Sequence, residues 1–202
     1  MSSQKTVVLS HAFGGKPELV FYPAVKKTLE AAGYSVQIPA FPDTESPVFG
    51  PWQSTLGEAL NRLKPENTIM VGHSLGCINI LRFLESRTDL AEPYAGVILV
   101  APSAMQAPVA GNWTEKVPTF FAAPYDLPSI KRNSRQFITI HAIDDVLVGT
   151  PLEHARQFQE MLGSKIIMLP KGGHFWTTDN CTELPEVTAA VIDIFEGLRT
   201  RA

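Results

Sequence analysis

The chain has 202 residues, 45% of them hydrophobic and 18% charged, with a formal net charge of −3. That length fits one domain, because chains usually split only beyond about 250 residues, and the composition excludes disorder, collagen and coiled coil. No basic cluster exceeds a pair such as Lys26 and Lys27, so the concentrated positive patch of a nucleic-acid surface is missing and no nucleic-acid partner is expected.

The first residues lead straight into the short apolar run Val7 to Leu9, without the basic start and long apolar core of a secretory signal. No run approaches the roughly 20 apolar residues that cross a bilayer. A cytoplasmic protein without membrane attachment is therefore expected. Short β-branched runs then alternate with longer segments of helical period, the pattern of a mostly parallel sheet with helices on both faces. Six strands are predicted, over Thr6 to Leu9, Tyr34 to Ile38, Thr68 to Val71, Gly96 to Val100, Phe137 to His141 and Lys165 to Leu169. The helices between them span Leu19 to Ala32, Trp52 to Leu63, Leu75 to Ser86 and Pro151 to Leu162, and a last one runs from Leu184 to Leu198. Gly33 is placed to stop the first helix in the left-handed region, and Pro151 suits a first turn. Two cysteines, Cys77 and Cys181, are too few for a disulfide framework or a metal site, so free thiols are expected.

In such sheets ligands bind where the strands end. After the first strand, Ser10-His11-Ala12-Phe13-Gly14-Gly15 is like the H-G-x-G loop of lipases and esterases, with Ala12 in place of its first glycine. After the third, Gly72-His73-Ser74-Leu75-Gly76 matches G-x-S-x-G between an apolar strand and a helix-compatible run. A serine on so sharp a turn needs flanking residues without side chains. It also needs a base. Of the five histidines, His73 lies within the turn, His154 sits mid-helix and is expected at the surface, His11 belongs to the first loop and His141 closes the fifth strand. His174, in the loop Lys171-Gly172-Gly173-His174-Phe175, is free to swing over the serine.

The orienting acid is expected after the fifth strand, at Asp144-Asp145. The following Val146-Leu147-Val148 favours Asp145, leaving Asp144 to bond the turn or support its neighbour. The chain order Ser74, Asp145, His174 is that of α/β-hydrolases. Backbone N–H groups of Leu75 and Phe13 are the expected oxyanion donors. The glycines of the first loop do not make a phosphate cradle, since neither G-x-G-x-x-G nor a P-loop is present.

These residues resemble the small single-domain serine hydrolases that include retinoblastoma-binding protein 9 and its bacterial relatives. The likeness runs through Val7 to Gly15, Pro39 to Pro47 with Trp52 beyond, Val71 to Gly76, Asp144-Asp145 and Gly173-His174-Phe175. It implies one minimal α/β-hydrolase domain over residues 1–202 with no large cap domain. It also implies a Ser74, Asp145, His174 triad acting on small esters, or on amino-acid esters or amides, without metal or organic cofactor. Two positions depart from the family pattern: His141 stands where a glycine is common, and Gly149 where a proline is. The namesake's L-x-C-x-E motif has no counterpart, because Leu75-Gly76-Cys77-Ile78-Asn79 lacks the acid, so that protein partner is not expected. A non-catalytic binding module on the same scaffold, and an acyltransferase using the same triad, are the alternatives.

Six of the 16 prolines fall between Pro93 and Pro128. The part after the fourth strand, a proline-rich excursion over 102–130, is too long for an idle loop and leaves the sheet beside Ser74. It is expected either to wall the acyl pocket, with Met105, Trp113, Phe120, Phe121 and Tyr125 in reach, or to pack on the sheet edge away from the site. His11, Trp113, Phe121 and Phe175 are the candidate substrate contacts.

Overall fold

A computed structural model describes residues 4–104, 113–121 and 123–199. Strands β1 (Thr6–Ser10), β2 (Ser35–Gln37), β3 (Thr68–His73), β4 (Gly96–Val100), β5 (Phe137–Ala142) and β6 (Lys165–Leu169) form one sheet in the order β2-β1-β3-β4-β5-β6. Every pair is parallel. All carboxyl ends therefore meet at one edge, which gathers the residues after β1, β3, β4, β5 and β6.

The helices are α1 (Tyr22–Ala31), α2 (Phe49–Leu60), α3 (Leu75–Ser86), a short α4 (Trp113–Lys116), α5 (Leu127–Arg132), α6 (Pro151–Leu162) and α7 (Pro185–Arg199). The central strands are buried on both faces, which is why they read as unbroken apolar runs. Their side chains alternate between two cores. Val7, Leu9, Val71 and Ile98 pack with α1 and α7 on one face, and Val8, Met70, Val97 and Leu99 pack with α2, α3 and α6 on the other. This is the expected minimal α/β-hydrolase architecture, and no cap domain covers it among the described residues. Nor is any described helix long and apolar enough to cross a membrane.

Two helix starts differ from expectation by more than one residue. Helix α1 begins at Tyr22, because Val20 has φ +48 and breaks the run before it. Helix α2 begins at Phe49, three residues early, and Pro51 sits inside its first turn, where no N–H is needed. Gly33 has φ +89, as its place after α1 requires.

Candidate active site

Ser74 sits between β3 and α3 with φ +52 and ψ −116, a conformation that costs an L residue energy and must be held by its surroundings. Its N–H donates to the Val100 carbonyl at 2.9 Å, and its own carbonyl accepts from Cys77 N–H at 2.9 Å. A β-carbon on Gly72 would lie 2.7 Å from the Cys77 α-carbon, and one on Gly76 would run into the Ser10 carbonyl. Both glycines are therefore demanded by close approach of backbone. The N-terminus of α3, positive in its dipole, faces Ser74. Among the described residues the Leu75 N–H has no hydrogen-bond partner.

The hydroxyl of Ser74 lies 2.8 Å from His174 Nε2, and His174 Nδ1 lies 2.8 Å from Asp145 Oδ2. A buried carboxylate beside Nδ1 fixes the proton there, leaving Nε2 as the acceptor for the serine O–H. The other Asp145 oxygen accepts N–H bonds from Leu147 at 3.0 Å and Val148 at 3.1 Å. Asp145 itself is only 3% exposed, so the carboxylate is oriented before any ligand arrives. Chemically, the arrangement can remove a proton from Ser74 and return it to a leaving group.

Asp144 has a different place. Its Oδ1 accepts the Gly173 N–H at 2.8 Å and so tethers the histidine loop. Asp179, which the sequence reading passed over, accepts N–H bonds from both His174 and Trp176 at 3.0 Å. A carboxylate just past a glycine-rich loop is the signal that would have found it, since Asp commonly bonds nearby backbone N–H groups.

Two cavities open at Ser74. The smaller, about 50 Å³, is walled by Phe13, Leu75, Ile78, Val117, Phe121 and Val148. The larger, about 430 Å³, is bordered by Gly14, Glu45, Val146, Trp176, Thr178 and Asp179. Phe13, Leu147 and His174 stand between them and line both.

The predicted substrate contacts separate accordingly. Phe121 lines the small cavity. His11 reaches neither cavity: it is fully buried, its Nδ1 donating to the Ala12 carbonyl at 3.0 Å and its Nε2 accepting the Phe41 N–H at 3.2 Å. It shapes the first loop from behind, and burial lowers its pKa. Phe175, 1% exposed with φ +55, also faces inward, into the core beneath its loop. Met105 and the side chain of Trp113 lie outside the described residues. Within the excursion, Val117 and Phe121 face the cavity, whereas Phe120 packs edge-on against Trp52 at 5.6 Å. Tyr125 lies under the Arg82 guanidinium at 4.4 Å.

Arg82 is a second residue that sequence reasoning missed. It is buried on α3, donates to the carbonyls of Phe120, Ala123 and Pro124, and pairs with Glu85 at 2.8 Å, so it holds the segment that carries Phe121. His154, expected at the surface, is fully buried, and its Nδ1 accepts the Ala104 N–H at 2.7 Å, tying α6 to the segment after β4. Its neighbour His141 is also buried, with neither ring nitrogen hydrogen-bonded among the described residues. Burial, then the nearby His154, push the His141 pKa down to about 4. Both cysteines are free. The described residues contain no cluster of ligands able to hold a metal.

A family model described as serine hydrolase matches residues 4–193. YdeN of Bacillus subtilis is 29% identical over 191 residues, covering 95% of this chain and 96% of that one. Its crystal structure superposes with a TM-score of 0.86, covering 96% of this chain and all of the other. The rat serine hydrolase RBBP9 is 28% identical over 114 residues, 56% of each protein. Est1E of Butyrivibrio proteoclasticus, solved with ferulic acid bound, is 15% identical with a TM-score of 0.69 over 95% of this chain and 88% of its own, a likeness of fold alone.

Proposed function

The chain belongs to the serine hydrolase family, and from that premise we propose that it hydrolyses small carboxylic esters through an acyl-enzyme on Ser74. The observation that carries this reading is the hydrogen-bonded series from Ser74 Oγ through His174 to Asp145, 2.8 Å at each step. In the first half-reaction Ser74 Oγ attacks the carbonyl carbon while His174 Nε2 accepts its proton, and Asp145 stabilises the resulting imidazolium. The developing oxyanion takes N–H bonds from Leu75 and Phe13. Each such donor supplies about 3 to 4 kcal/mol of barrier lowering where donors have been removed one at a time. His174 then protonates the leaving oxygen, and the same imidazole activates the water that releases the acid. No step calls on a metal or organic cofactor.

The two cavities support a substrate class of small esters. A space of about 50 Å³ lined mostly by apolar side chains suits an acyl chain of a few carbons, and the wider cavity, where Glu45, Thr178 and Asp179 stand beside Val146, Leu147 and Trp176, gives the other half of the ester room to leave. Amino-acid esters and amides use the same chemistry, and a leaving amine needs the same proton from His174. The test is turnover of a graded series of nitrophenyl esters by wild type and Ser74→Ala. Short acyl chains are expected to be preferred, with no turnover above background in the variant; equal turnover by the variant rejects the reading.

A further inference from the structure

Tyr22 and His73 take no part in those steps, yet both are completely buried and both touch the backbone that frames them. The ring of His73, one residue before the serine, turns onto the α1 side of the sheet and packs against Phe21 at 5.2 Å and Tyr22 at 5.7 Å. Its Nε2 lies 2.9 Å from the carbonyl oxygen of His174. A carbonyl can only accept, so Nε2 carries the proton. Burial, reinforced by the nearby His174, holds the His73 pKa down to about 3. The ring is therefore neutral and its Nδ1 is a bare acceptor. Tyr22 Oη, 2.6 Å away, donates to that nitrogen, and the same oxygen accepts the Ala12 N–H at 3.2 Å.

Each proton of this chain has one possible place: Ala12 N–H on Tyr22 Oη, Tyr22 O–H on His73 Nδ1, and His73 Nε2–H on the His174 carbonyl. The two ends of the chain belong to the two loops that must meet over Ser74. Ala12 precedes Phe13, the candidate oxyanion donor, and His174 is the candidate base. The His174 backbone is thus gripped from both sides, its amide by Asp179 and its carbonyl by His73.

We propose that Tyr22 and His73 are positioning residues that set the oxyanion loop and the base in register with Ser74, an assignment that rests on the hydrolytic reading above. The chain is directional, so losing one proton unsettles both ends. Without the tyrosine hydroxyl, the Ala12 N–H and His73 Nδ1 are left buried and unpaired. His73 is then free to move its proton to Nδ1, which releases the His174 carbonyl.

The experiment compares Tyr22→Phe, His73→Gln and His73→Leu with wild type on a nitrophenyl ester, using active-site titration so that rates refer to folded protein. Tyr22→Phe keeps the ring and its packing. It is expected to lower kcat about ten- to a hundredfold while KM changes less than about threefold, since a small misplacement of reacting groups costs rate rather than binding. The amide nitrogen of glutamine overlays Nε2 and can still donate to the His174 carbonyl, whereas leucine cannot. His73→Gln is therefore expected to recover most of the rate that His73→Leu loses. Wild-type kcat in Tyr22→Phe, or equal losses in the two His73 variants, overturns the assignment. Turnover that persists in Ser74→Ala overturns the hydrolytic reading beneath it, so the two failures are told apart.

Discussion

Ser74 and His174 are held by two different kinds of structure. The turn around Ser74 is fixed by backbone against backbone: Gly72 and Gly76 lie too close to Cys77 and Ser10 to carry side chains, and β4 takes the serine amide. The loop around His174 is fixed by side chains arriving from elsewhere: Asp144 from the β5 end, Asp179 from the following turn and His73 from β3. Steric demands of the first kind leave a compact mark in the sequence, because only glycine meets them. Demands of the second kind leave scattered polar residues whose partners only the fold reveals.

The largest effect expected from breaking this arrangement comes at Asp145, where the two halves join. Asp145→Asn leaves Leu147 and Val148 bonded but presents the wrong group to His174 Nδ1, and kcat is expected to fall about 10³- to 10⁴-fold with little change in stability. Next in size is Gly76→Ala. Its new methyl group collides with the Ser10 carbonyl, so urea unfolding is expected to show a loss of roughly 2 to 4 kcal/mol, the scale of a severe core misfit. An unchanged midpoint would mean that the turn is softer than its packing implies.

Acid tests the side-chain half. His73 and His141 are neutral in the fold, with pKa values lowered to about 3 and about 4 from 6.5. Below 6.5 the unfolded chain binds more protons than the folded one, so stability is full above that pH and declines as pH falls toward 4 and then 3. The loss is on the order of 3 kcal/mol for His141 and on the order of 5 kcal/mol for His73 once each is forced to charge. Urea midpoints measured from pH 7 to pH 4 are expected to fall, and His141→Leu to flatten the decline. The smallest effect belongs to Asp144→Asn, which keeps an oxygen for the Gly173 N–H. Its kcat is expected to stay within about fivefold of wild type, because a neutral acceptor replaces a charged one at an exposed site. A larger loss at Asp144 than at Asp145 would reverse the roles given to the pair.

The same contrast explains how much of the molecule was legible in its sequence. All six strands were: the central ones because parallel strands buried on both faces are continuous apolar runs, and the half-exposed edge strands β2 and β6 by their short apolar and β-branched runs. So were the boundaries of α3 and α6, which Ser74 and Pro151 mark at their starts. The first turn of α2 was hidden by Pro51, which reads as a helix breaker but is harmless where no N–H is needed. Ser74, Asp145 and His174 could be named from strand ends and chain order. His11 and Phe175 were placed in the pocket by sequence adjacency, yet both turn inward, because a residue beside a loop tip faces the core as readily as the ligand. His154 read as a surface residue because its acceptor role depends on Ala104, fifty positions away. Arg82 gave no sign beyond a helical pair with Glu85, since its other partners are backbone carbonyls of a segment that only the fold brings near.

The central claim is that Ser74 is an activated nucleophile. The most direct measurement is covalent labelling with a fluorophosphonate probe, located by peptide mass spectrometry. Stoichiometric modification at Ser74, slowed by orders of magnitude in Asp145→Asn and absent in Ser74→Ala, is the predicted result. A folded protein that stays unlabelled, or that is labelled at another residue, contradicts the account.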